Sequence, residues 1–245
     1  MFVRRNHSNF FKSSYPKHHL SLSMRRFFLF IVFICCIGGL HAQVPVHEEP
    51  RHVPVFENDK IRLLSIALPP GDTTQYHVHH TPSLFVFFTS TSTASQLQGG
   101  APTTGRSAAG TMLFENLAPP HVRIHRVWNI DKDTFRVMDI ELLSKDSGFA
   151  EKPITAPHVQ KVIDTAWVRA YNLVLDPQEA FQLQEHKYPL LVVAFDSGTI
   201  QLQQKDSKQA QAVHPKTFFW IPAGEKFALK NTGTTTTHFA LIELP

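Results

Sequence analysis

Thiols are nearly absent from this chain. Its 245 residues include two cysteines, and these are neighbours, Cys35 and Cys36. Adjacent cysteines supply neither a disulfide framework nor the spaced pairs of a cysteine zinc motif. Charge is sparse at 18% of residues, against 42% hydrophobic. That balance excludes a disordered, charge-extended chain and leaves enough apolar surface for a real core. The 11 glycines are outnumbered by 17 prolines and 20 phenylalanines, which suits strands joined by stiff loops. After residue 42 no long amphipathic helix is legible in the pattern of apolar residues.

The longest apolar run, residues 27–40, has 14 residues and follows Arg25-Arg26. A membrane-spanning helix needs about 20. A short apolar stretch behind basic residues and ending in small ones reads as a secretory signal. Residues 1–42 are therefore expected to be a signal peptide cleaved after Ala42, with Met24 as an alternative start. An uncleaved membrane anchor is the competing reading. Residues 1–42 hold six of the 24 basic residues and no acidic one, so the remainder carries 18 basic and 20 acidic groups. The basic pI belongs to the leader. No basic patch remains, and nucleic acid is excluded as a partner. Cleavage also removes both thiols, which suits an oxidising compartment. The expectation is a secreted or periplasmic protein with no stable membrane insertion once the signal is gone.

The remainder is written twice. Residues 68–88 align without gaps to 175–195, placing Pro70 on Pro177, His79 on His186 and Pro82 on Pro189. Arg62 falls on Arg169 at the same offset of 107, whereas Asn129 falls on Asn231 and Ile140-Glu-Leu142 on Ile242-Glu-Leu244 at an offset of 102. A longer segment in the first copy, residues 89–110, absorbs the difference. It is rich in Ser, Thr, Gly and Ala and reads as an exposed loop. Short runs of branched and aromatic residues at 61–68, 84–88, 135–142 and 190–195 read as strands. Many short strands with turn signals point to an all-β sandwich or small barrel in each copy. The polar, proline-flanked connector near residue 148 divides the chain into units 43–148 and 149–245.

One stretch carries chemistry. In Gly71-Asp-Thr-Thr-Gln-Tyr-His77-Val-His79 the two histidines are two apart, so in a strand both rings point to one face. In Pro120-His-Val-Arg-Ile-His125-Arg-Val-Trp-Asn129, His125 can join them from a neighbouring strand. Three neutral imidazoles suit Fe, Zn, Ni or Cu, and a three-ligand set leaves a position open for water or substrate. A solvated edge strand bearing His77, His79 and His80 is the plain alternative. His80 should point outward by alternation, and His121 belongs to the turn after Pro119-Pro120. Arg123 shares the parity of His125 and can offer a bidentate fork to an anionic substrate group; a surface arginine beside a bend is the plainer reading. Gln75 and Tyr76 are within reach as supporting donors. Phe85, Phe87, Val127 and Trp128 read as lining or outer packing.

With these residues the chain resembles the cupins, specifically the two-domain bicupins, over roughly residues 52–245. The family's first motif is a glycine, five residues, His-x-His, three or four residues and a glutamate; Gly71, His77 and His79 match it. The second motif is matched by Pro120, His125 and Asn129, with Val122 in place of its glycine. The glutamate would fall at Ser83 or Leu84, and neither is acidic. The resemblance therefore implies two tandem jelly-roll barrels and a three-histidine site at His77, His79 and His125, as in thiol-dioxygenase-like cupins. In the second copy His77 becomes Gln184 and His125 becomes Phe227, which leaves His186 as a packed or hydrogen-bonded core histidine and the copy without a site.

The implied cofactor is a divalent transition metal, Fe, Mn, Zn or Ni. The implied function is metal-dependent oxygenation or isomerisation of a small molecule, with Arg123 toward the substrate and no catalytic residue assigned. A non-catalytic module that binds a small ligand or protein is the alternative. Two fused copies suit a monomer as well as a homodimer. Unperturbed imidazoles titrate at roughly pH 6–7, so acid is expected to expel the metal there.

Overall fold

The computed structural model describes residues 43–184, 186–204 and 207–245, and the expected signal peptide lies outside them. Apart from one short 3-10 turn at Val46–Glu48, the regular structure among the described residues is all strand. No helix among them is long and apolar enough to cross a membrane. The first ten strands are β1 (Val44–Pro45), β2 (His52–Glu57), β3 (Ile61–Leu68), β4 (His77–His79), β5 (Ser83–Phe87), β6 (Ser92–Leu97), β7 (Pro102–Arg106), β8 (Met112–Glu115), β9 (Arg123–Asn129) and β10 (Phe135–Leu142). The remaining nine are β11 (Val159–Asp164), β12 (Arg169–Leu175), β13 (Ala180–Leu183), β14 (Leu190–Ala194), β15 (Gly198–Gln204), β16 (Ser207–Val213), β17 (Phe218–Ile221), β18 (Phe227–Asn231) and β19 (Thr237–Glu243). The four runs rich in branched and aromatic residues are β3, β5, β10 and β14, each within one residue of its expected ends.

Residues 43–245 form one compact unit. Within it, strands up to Leu142 pair only with one another, as do those from Val159 onward. The first set forms two five-stranded sheets, ordered β1-β4-β9-β6-β7 and β2-β3-β10-β5-β8; the second forms sheets β11-β12-β19-β14-β17 and β13-β18-β15-β16. Each pair of sheets is a jelly-roll-like barrel, and the chain has the two-barrel fold of the bicupins.

Alternation explains how the barrels are filled and joined. On β3, β5 and β10 one face carries Ile61, Leu63, Leu84, Val86, Met138 and Ile140. These residues pack with Ala170, Leu191, Val193, Ala240 and Ile242 from the second set in one buried cluster. The two central sheets are thus apolar on both faces: one face seals the barrels against each other and the other looks inward. The second barrel's interior is solid, with Tyr171, Phe181, Phe227, Leu229 and Phe239 packed together. The first barrel's matching cluster is smaller, built on Leu64, Ile66, Leu68, Phe135 and Val137, and beside it lies a cavity of about 450 Å³.

The repeat is visible in hydrogen bonds. Asn129 Nδ2 donates to the carbonyls of Leu68 and Asp133, each at 2.8 Å. Asn231 Nδ2 donates to those of Leu175 and Thr235, at 2.9 and 2.8 Å. The same turn is held in both copies: Gly71, at φ 75°, and Gln178, at φ 70°, occupy equivalent left-handed positions, and each donates its backbone N–H to the asparagine carbonyl. Both asparagines are fully or almost fully buried. Asn231→Ala is expected to lower stability by about 1–3 kcal/mol, since it strands the carbonyl of buried Leu175. Asn129→Ala should match it to within about 1 kcal/mol, and urea midpoints for the two variants check this.

One expectation is corrected. Residues 89–110 are not a plain loop but a hairpin, β6 and β7, paired from Ser92↔Arg106 to Gln96↔Pro102. Its Ser and Thr residues alternate between the two faces, and β-branched threonine suits a half-buried pleat. The turn falls at Gly99, where φ is 75°. Thr93 and Ser95 face inward, so β6 forms part of the cavity wall, whereas β7 is exposed, as expected of this segment.

Candidate metal centre

The cavity lies between the two sheets of the first barrel. Its floor comes from β4 and β9, which pair so that His77 stands opposite His125 and His79 opposite Arg123. The alternation that points His77 and His79 the same way buries both, at 1% and 2% exposure. His79 Nε2 lies 3.1 Å from His77 Nε2 and 3.1 Å from His125 Nε2. The three ring centroids are 4.7–5.1 Å apart. All three predicted imidazoles therefore meet at one point.

Each ring's other nitrogen faces away from that point. His77 Nδ1 lies 2.9 Å from the Gln75 carbonyl, to which it donates. His125 Nδ1 is 3.2 Å from Ser95 Oγ, on the hairpin. His79 Nδ1 is 3.5 Å from Asp139 Oδ2, a carboxyl on β10 with no exposure. A proton-bearing Nδ1 at His77 leaves its Nε2 lone pair free, and such an outer partner fixes tautomer and ring orientation in metal sites; His79 Nδ1 stands near Asp139 without a hydrogen bond to it. Nitrogens about 2.0–2.1 Å from one ion, at angles of about 90–110°, would stand about 3.0–3.4 Å apart. The two spacings about His79, 3.1 Å each, fit.

Burial controls protonation. His77 is pushed down to about 4 by desolvation and then by the neighbouring His52. His125 is pushed to about 3 by desolvation, then by His77 and Arg123. His79 moves in the same direction for the same first reason, with His125 and His77 adding to it. These rings stay neutral well below the pH 6–7 of free imidazole, so the expected acid release of a metal is displaced downward. Asp139 is shifted the other way, to about 8, because burial and then Glu141 disfavour its charge.

His80 is exposed, and His121 is exposed in the turn after Pro119-Pro120. Arg123 does line the cavity, but its fork is occupied: Nη1 and Nη2 lie 2.5 and 2.9 Å from the two oxygens of Glu115. Gln75 takes part through its backbone rather than its side chain. Phe85, Phe87 and Val127 line the cavity, whereas Trp128 sits outside it against Arg126.

In the second barrel Phe227 stands where His125 does and packs on Phe181 at 6.1 Å between ring centroids. Gln184 is exposed. His186 Nε2 is 3.0 Å from Glu243 Oε1, and Tyr171 donates to the same carboxylate at 2.7 Å. It is a hydrogen-bonded histidine inside a filled barrel.

The sequence reading missed His52 and Glu49. His52 on β2 stands opposite Ile66, faces the cavity, and is 8% exposed. Its nitrogens group with those of His77 and His79 within 4.8 Å of one another. A signal existed: at the offset of 107, His52 falls on Val159, the same imidazole-to-apolar exchange as His125 to Phe227.

No protein-family model matches the chain, and no curated protein matches it. Similarity to solved structures is extensive in fold and slight in sequence. AerE from Microcystis aeruginosa superposes with a TM-score of 0.57 at 10% identity, over 80% of this chain and 98% of that one. A salicylate 1,2-dioxygenase variant from Pseudoaminobacter salicylatoxidans, in complex with gentisate, gives 0.59 at 8% identity, over 88% and 80%. Bacillus subtilis oxalate decarboxylase, a protein with Mn(II) centres, gives 0.56 at 9% identity, over 76% and 69%.

Proposed function

We propose that this chain, whose fold is that of a two-barrel cupin, is a metal-dependent enzyme acting on a small molecule, with one divalent ion held by His77, His79 and His125. The observation that carries this reading is the meeting of three Nε2 atoms, from buried His77 and His79 and half-buried His125, with Nε2 of His79 3.1 Å from each of the other two. An all-imidazole set brings no negative charge to the ion, so the ion keeps its full Lewis acidity toward a bound oxygen. Fe, Zn and Ni accept such ligands, and Mn stays in the set because a protein of similar fold carries Mn(II) centres. The cavity wall of Phe85, Phe87, Phe135 and Val137 suits an apolar or aromatic substrate body. The likeness to a dioxygenase bound to gentisate supports oxygenation as the reaction class, with isomerisation kept as the alternative. Elemental analysis of untagged protein should find about one equivalent of transition metal; less than about a tenth, even after reloading, overturns the reading.

The lack of a carboxylate at Ser83 favours a second reading, a metal-bearing module that binds without turnover. Metal-loaded protein that consumes no oxygen and converts nothing in a broad mixture of small aromatic and aliphatic acids would decide for it. Either way, export through residues 1–42 belongs to the proposal, and a secreted or periplasmic chain beginning at Gln43 by N-terminal sequencing is the expected product.

Arg123 is assigned to the substrate in this reading, with Glu115 as its resting partner. Glu115→Gln removes the competing charge and frees the fork. Benzoate should then bind about tenfold tighter by calorimetry, on the order of the worth of one charge-assisted hydrogen bond. Unchanged affinity would remove Arg123 from the binding site.

A further inference from the structure

The position of the missing motif carboxylate leaves the ion one protein ligand short of a four-residue set. Ser83, which occupies it, is fully buried, and its Oγ has no hydrogen-bond partner. The barrel supplies a fourth donor from another strand. His52 enters from β2, its ring centroid 4.6 Å from that of His77 and 6.3 Å from that of His79. Its Nδ1 is 2.6 Å from Glu49 Oε2. Glu49 is 2% exposed and is itself held in place, accepting the backbone N–H of Gln75 at 3.0 Å and of Arg51 at 2.8 Å. With Nδ1–H given to this carboxylate, the His52 Nε2 lone pair is free and faces the cavity.

The backbone of a single residue ties the two histidines together. Gln75 gives its N–H to Glu49 and receives the N–H of His77 at its carbonyl. His52 and His77 are thus set by one scaffold, although 25 residues separate them in sequence. The second copy dispenses with the whole device: Glu49 and His52 fall on Ala156 and Val159, which pack at the edge of its apolar core. A buried carboxylate and imidazole cost stability unless paired, and where no site exists the equivalent positions are apolar.

We infer that His52, oriented by Glu49, is a fourth imidazole ligand of the ion in the first barrel, replacing the carboxylate that the motif lacks. The inference rests on the three-histidine reading above. The negative charge that a glutamate ligand would have brought to the ion itself is then placed one bond further out, on Glu49. Such a carboxylate–histidine pair makes the imidazole a stronger donor.

The test uses the full chain loaded with Cu(II) or Co(II) alone. X-ray absorption and electron paramagnetic resonance count bound imidazoles, and chelator competition measures affinity. Wild type is expected to show four imidazoles. His52→Ala should show three, with affinity more than about a hundredfold weaker, because a direct ligand is worth more than the tenfold to hundredfold of an outer partner. Three imidazoles in wild type, or His52→Ala unchanged in count and affinity, overturns the fourth ligand while leaving the other three intact. Should His52→Ala fail to fold, the wild-type count still decides. Failure of wild type to bind metal, or His77→Ala binding as tightly as wild type, would instead overturn the three-histidine reading.

Discussion

His79→Ala is expected to abolish metal binding, taking the ion content from about one equivalent to less than about a tenth. His79 is the hub of the cluster, its Nε2 lying 3.1 Å from both other Nε2 atoms. Losing it leaves His77 and His125 without their shared neighbour. Changes in the outer layer of metal sites alone cost tenfold to a hundredfold in affinity, so removing a direct ligand should cost more than about a hundredfold. His80→Ala, one residue away and exposed, should leave content and affinity unchanged. Folding of the metal-free variant, followed by circular dichroism, separates ligand loss from collapse. Full metal content in folded His79→Ala would place the ion elsewhere.

The metal-free protein is expected to be most stable near pH 6.5 and to lose stability on both sides. Below that point the buried histidines decide. Their pKa values are lower in the fold than in the unfolded chain, about 4 for His77 and about 3 for His125. The unfolded chain therefore binds more protons below about pH 6.5, and stability is lost as pH falls toward those values. Above that point Asp139 decides. Its folded value is raised to about 8 from 3.8, so the fold keeps a proton that the unfolded chain releases. That contribution is fully present below about pH 4 and is lost as pH rises toward 8.

Between about pH 4 and 6.5 three histidines oppose one aspartate, so the acid limb should fall by roughly 3 kcal/mol per pH unit at its steepest, two net protons' worth. Asp139→Asn should abolish the alkaline limb and leave the acid one. Urea denaturation of metal-free protein from pH 4 to 8 measures both. A flat profile would mean that these side chains are hydrated rather than desolvated.

Asp139 also shows why part of the site was not legible. At the offset of 102 it falls on Leu241, so the repeat marks it as unusual, but nothing local says that a residue 60 positions after His79 lies 3.5 Å from its ring. The same holds for Glu115. Its pairing with Arg123 joins β8 to β9 across the barrel, and the separation of eight residues gives no hint of a bidentate contact. The hairpin of residues 92–106 was misread because its serines, threonines and glycines look like a linker. What makes them strands is hydrogen bonding of β6 along β9 from Thr93↔Asn129 to Leu97↔His125, a partner that composition does not reveal.

His125 came in through the resemblance to the cupins, whereas from sequence alone came the internal repeat, the strands β3, β5, β10 and β14, and the shared facing of His77 and His79. Each is a matter of period: side chains alternate along a strand, and two copies of one pattern imply two copies of one barrel. Only the tertiary structure decided that the first barrel is hollow and the second solid, that Glu115 occupies the Arg123 fork, and that Glu49 and His52 stand beside the three imidazoles. Those outcomes depend on which strands face one another across a barrel. Such distances are set by closure of the sheets, and no spacing along the chain encodes them.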